Sequence, residues 1–80
     1  MAEGLLDNTI KIQRAKKNWT QAELAHQVGV TRKTVNTIEN GKYVPSTYLA
    51  LKMARALDVS VEQLFQIHEN KIWGKSPFTW

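Results

Sequence analysis

The chain has no cysteine among its 80 residues, so no disulfide and no thiolate metal site can staple it. Histidine is nearly as scarce. His26 and His68 are the only two, far apart in sequence and without carboxylates at ligand spacing, which points away from a metal centre. Apolar runs never exceed a few residues, so no segment reads as a membrane span. The N-terminal Met1-Ala2-Glu3-Gly4 lacks a basic stretch leading into an apolar one, so the expectation is a cytoplasmic chain without a secretory signal. No Ser/His/Asp, Cys/His or paired-carboxylate arrangement occurs, and no glycine-rich phosphate loop. These absences predict a protein that is not an enzyme and carries no cofactor or small-molecule ligand.

Acidic residues are also in deficit. Eleven Lys and Arg face seven Asp and Glu, a formal charge of +4. A basic excess on a small domain favours polyanionic partners, although many small domains are basic for no such reason. With a thin core and no staple, a chain of this length has a reason to pair with a second copy.

Capping chemistry divides what remains. Thr20-x-x-Glu23 and Ser60-x-x-Gln63 have the form of capping boxes, Thr31 and Ser46 are further N-cap candidates, and Asn8 is placed to begin an earlier helix. Asn18, Gly29 and Gly41 tolerate the left-handed backbone that ends a helix. The spacing predicts an all-α fold of five helices, over about 8–17, 21–28, 32–40, 47–57 and 61–67. Leu24, Ala25 and Val28, then Val35 and Ile38, then Leu49, Met53, Ala54 and Leu57, then Val61, Leu64 and Phe65 recur at helical intervals and form the candidate core. Residues 1–70 read as one domain. Lys71 to Trp80, with Gly74, Pro77, Trp73, Phe78 and Trp80, read as an irregular aromatic tail.

The informative stretch is TQAELAHQVGVTRKTVNTIENGK, from Thr20 to Lys42. Ala25 is small where two short helices would cross, Gly29 permits the turn between them, and Val30, Val35 and Ile38 pin the second helix on the first. The other face of that second helix then carries Arg32, Lys33, Asn36 and Thr37 free of core duty. Arg and Lys suit guanine, Asn suits adenine and Thr suits a thymine methyl, so these four are the candidate base-reading residues of a helix in a major groove. Trp19 is expected to plug the core and Tyr43 to pack beside the turn, while Lys11, Lys16 and Lys17 read as surface lysines.

Arg14, the TQ-x-ELA run of Thr20 to Ala25, VGVTRKTV from Val28 to Val35, IENGKY from Ile38 to Tyr43, Pro45-Ser46 and the ending near Phe65 together resemble the phage repressor and Cro type, the XRE family of helix-turn-helix regulators. The resemblance covers about residues 8–67. It implies a transcriptional regulator, a repressor acting as a homodimer on a palindromic operator in double-stranded DNA. It implies phosphate contacts for Gln21, Thr31, Asn40 and Lys42, with backbone contacts around Gly41, and an internal ion pair between Arg14 and Glu39. Gln13 departs from the family's usual leucine. An antitoxin, or a protein-interaction module whose tail binds a partner, is the alternative.

Overall fold

The computed structural model describes residues 6–68, and the tail from Lys71 to Trp80 lies outside them. A short strand, β1 (Leu6–Asn8), leads into α1 (Ile10–Lys17), α2 (Gln21–Val28), α3 (Arg32–Glu39), α4 (Thr47–Ala56), a single turn α5 (Val61–Leu64) and a second strand, β2 (Phe65–Ile67). The molecule is a five-helix, mainly α domain of the helix-turn-helix type, closed by a two-stranded antiparallel sheet.

The helices α2 to α5 start where their caps demand. Thr20 Oγ1 accepts from the Glu23 amide at 3.0 Å while the Glu23 carboxylate accepts from the Thr20 amide at 2.7 Å. Ser60 and Gln63 repeat that reciprocal pair at 3.1 and 2.9 Å. Thr31 and Ser46 each accept one amide of the first turn that follows. α1 ends on Asn18 and α2 on Gly29, both left-handed.

Ile10, Leu24, Val28, Val35, Ile38, Met53, Leu57 and Leu64 are fully or nearly fully buried, and Ala25 and Ala54 are buried with them. Phe65 joins them at 8% exposure, and Trp19, Val30 and Leu49 pack on the rim. The apolar stripes read from spacing are therefore the core. Gln13, in place of the leucine, turns its amide to Thr9 Oγ1 at 3.4 Å.

Both ends of the described residues depart from the helical expectation. β1 pairs with β2 in the register Leu6 to Ile67, Asp7 to Gln66 and Asn8 to Phe65. α5 stops after one turn because its free carbonyls already have partners. Gln66 Nε2 donates to the carbonyls of Glu62 and Gln63 at 3.0 and 2.9 Å, and Thr9 donates through its amide to Leu64 and through its hydroxyl to Gln63. Phe65 is then free to turn extended. Asn8 is not the first residue of a helix but a tie between elements. Its Oδ1 accepts from the Ile10 amide at 3.1 Å, and its Nδ2 donates to the carbonyls of Ile38 and Glu39 at 3.1 and 3.3 Å.

Candidate nucleic-acid interface

α2, the left-handed Gly29 and α3 form the helix-turn-helix unit, and α3 buries Val35 and Ile38 against the core. Residues 32, 33, 36, 37 and 40 fall on the other side of the helix by its 3.6-residue period. Arg32 and Lys33 are exposed at its N-terminal turn, Asn40 and Lys42 are exposed at its far end, and Asn36 and Thr37 are half-buried between them. Thr37 spends its hydroxyl proton inside the helix, on the carbonyls of Thr34 and Lys33 at 2.9 and 3.1 Å. What it offers outward is a methyl group and oxygen lone pairs. Thr31, besides capping α3, exchanges a hydroxyl bond with Thr34 at 3.0 Å.

Behind this surface lies the ion pair. Arg14 Nε reaches Glu39 Oε2 at 2.6 Å and Nη2 reaches Oε1 at 3.1 Å, with the two side chains 13% and 8% exposed. Arg14 Nη1 also donates to the Trp19 carbonyl at 2.9 Å, so the guanidinium locks α1 to the start of α2 and the end of α3. Gln21 Nε2 donates to the same Glu39 oxygen at 3.1 Å. Gln21 Oε1 in turn accepts from Asn36 Nδ2 at 3.4 Å, and Asn36 Oδ1 accepts from Asn40 Nδ2 at 3.2 Å. Sequence reasoning missed this chain of amides, because nothing in spacing alone links positions 21, 36 and 40.

Three expectations change. The amides of Asn40, Gly41 and Lys42 donate to the carbonyls of Asn36, Ile38 and Thr37, so the backbone there is already occupied and only side chains are free to meet a ligand. Tyr43 is 51% exposed rather than packed beside the turn. Trp19 sits against the core with the Lys17 amino group 5.5 Å from its ring centroid. Lys17 also pairs with Asp58 at 2.9 Å, so it is not an unengaged surface lysine. Among the described residues no three His, Asp or Glu side chains gather as a metal would need, and no helix is long and apolar enough to cross a membrane.

The helix-turn-helix family HTH_3 matches residues 10–64. The chain belongs to that family. It is an XRE/Cro-type helix-turn-helix transcriptional regulator, of a DNA-binding and non-enzymatic kind. An uncharacterised HTH-type transcriptional regulator of Archaeoglobus fulgidus is 48% identical over 66 residues, covering 82% of this chain and 93% of its own length. The antitoxin HipB of Escherichia coli is 32% identical over 56 residues, 70% of this chain and 60% of HipB. Among solved structures, the biofilm master regulator SinR in complex with DNA superposes with a TM-score of 0.62 at 35% identity, covering 66% of this chain and 86% of SinR.

Proposed function

We propose that this regulator is a repressor that binds a palindromic operator in double-stranded DNA as a homodimer, in the cytoplasm. The observation that carries the reading is the outward face of α3, where Arg32 and Lys33 stand exposed while Val35 and Ile38 alone serve the core. Arg32, Lys33 and Thr37 read base edges, with Asn36 alongside them, and Gln21, Thr31, Asn40 and Lys42 flank them on phosphates. The DNA-bound SinR structure supports placing that face against a duplex.

Pairing is supported by apolar surface away from α3. Leu6, Pro45, Ala50, Leu51, Val61 and Phe65 line a groove of about 320 Å³, Leu51 is 55% exposed, and Ile67, opposite Leu6 in the sheet, is 78% exposed. A symmetric dimer covers such a patch with its own copy. Phe65 contributes mainly to the core. The aromatic tail from Lys71 to Trp80 lies outside the described residues.

The similarity to an antitoxin favours a second reading, in which the chain is an antitoxin or a protein-interaction module whose tail, outside the described residues, binds a partner protein. Duplex titration across a range of salt concentrations tests the first reading. It predicts affinity that falls steeply as salt rises, with a sequence preference that persists. No duplex binding at low salt, together with co-purification of a second protein at fixed stoichiometry, would replace it with the second.

A further inference from the structure

We infer that Glu39 is a positioning residue for the DNA face, because its carboxylate sets the orientation of the three amides that lead out to that face. The inference rests on the reading of α3 as the DNA-contacting helix. An ionised carboxylate can only accept hydrogen bonds. Gln21 must therefore turn its NH2 toward Glu39, which leaves its carbonyl oxygen toward α3. Asn36 meets that oxygen with its own NH2, and Asn40 meets the Asn36 oxygen in the same sense. The donors run one way from Asn40 through Asn36 and Gln21 to Glu39, where Arg14 closes the chain from the other side. An isolated surface amide would flip freely between its two orientations. Here the flip is decided once, at a carboxylate 8% exposed, and passed outward to residues half-buried or exposed.

The arrangement fixes where an N–H and where a lone pair stands along the protein's contact surface before DNA arrives. Three side chains are thereby spared part of the ordering cost of binding. Asn36 joins its two neighbours in this chain while keeping its place beside the base-reading residues.

The sign of one substitution separates this from plain electrostatics. Glu39→Gln removes a negative charge close to a polyanion and leaves Arg14 unneutralised, so charge alone predicts tighter binding. The 2.6 Å contact with Arg14 Nε holds the glutamine's oxygen at the Oε2 position, so its NH2 takes the Oε1 position, giving up the 3.1 Å bond from Arg14 Nη2 and facing Gln21 as a donor. Gln21, Asn36 and Asn40 then reverse in sequence. The expected result is duplex affinity weakened roughly tenfold, while the side-chain NH2 resonances of Gln21, Asn36 and Asn40 shift together in the free protein and those of Gln63 and Gln66 do not.

Unchanged or tighter binding by folded Glu39→Gln overturns the proposal. Should that variant fail to fold, Gln21→Met decides, since it cuts the chain while leaving the ion pair in place. Its Asn40 NH2 resonance moves if the chain exists, and an unmoved Asn40 overturns the proposal. The resonances require no DNA, so the two failures are distinguishable. A wild-type chain that binds no duplex overturns the functional reading and the proposal with it. A wild type that binds normally, beside an Asn40 that responds to neither substitution, overturns the proposal alone.

Discussion

Arg32 owes its freedom to Val35 and Ile38, which take the whole of α3's core duty. Arg32→Ala is expected to weaken operator binding by about 1–3 kcal/mol and to relax preference at one base pair in each half-site. A binding-site profile identical to wild type would remove it from the reading set. Lys42 is a different kind of residue. Its backbone amide is occupied and its side chain is exposed, so its contribution is charge alone. Lys42→Ala should weaken binding to operator and random duplex alike and lower the salt slope by about 1. A loss confined to operator DNA would contradict a phosphate role. Glu39→Ala acts on the fold instead. It strands an Arg14 whose side chain is only 13% exposed, and chemical denaturation should show a loss of about 3–5 kcal/mol. A change near zero would mean the guanidinium finds other partners at no cost.

Elements were legible in the sequence wherever one local chemistry decided them. The four N-caps at Thr20, Thr31, Ser46 and Ser60 are read from residue type alone, because each side chain serves an amide within its own first turn. The left-handed stops at Asn18 and Gly29 are equally local. The two strands were not legible. Phe65-Gln66-Ile67 continues the helical spacing of Val61 and Leu64, and only the partners offered by Thr9 and Gln66 end the helix. Those partners lie 54 residues away in one case and four or fewer in the other, so spacing could not weigh them. Asn8 shows the same limit, since its three bonds reach α1 and the far end of α3. Asn8→Ala should therefore cost about 1–3 kcal/mol of stability, more than the loss of a lone helix cap, because it takes a donor from two carbonyls at the end of α3 and an acceptor from the Ile10 amide of α1. Thermal unfolding measures this, and a melting point equal to wild type would show that water replaces the asparagine freely. Of the candidate interface, the outward residues of α3 could be read from period alone. The amide chain joining Gln21, Asn36 and Asn40 could not, because it depends on how α2 and α3 are set against each other.

At the scale of the whole molecule, two surfaces differ in chemistry. α3 carries exposed charge and amides, while Leu51, which lines the apolar groove, and Ile67 in β2 are exposed apolar side chains. A dimer built on that area would present two copies of α3 to successive major grooves, with half-sites about 34–36 Å apart. Leu51→Glu should then give a monomer in sedimentation, at unchanged helical content, with operator affinity sharply reduced. A wild-type chain that is itself monomeric at high micromolar concentration would defeat a stable free dimer. The central claim is that α3 reads sequence in duplex DNA as one half of a symmetric pair. Selection of bound fragments from random duplex DNA tests it most directly. The account predicts enrichment of a two-fold symmetric motif whose halves are separated by about one helical turn, and loss of one position per half in the Arg32→Ala pool. A pool that remains random after repeated selection would contradict it.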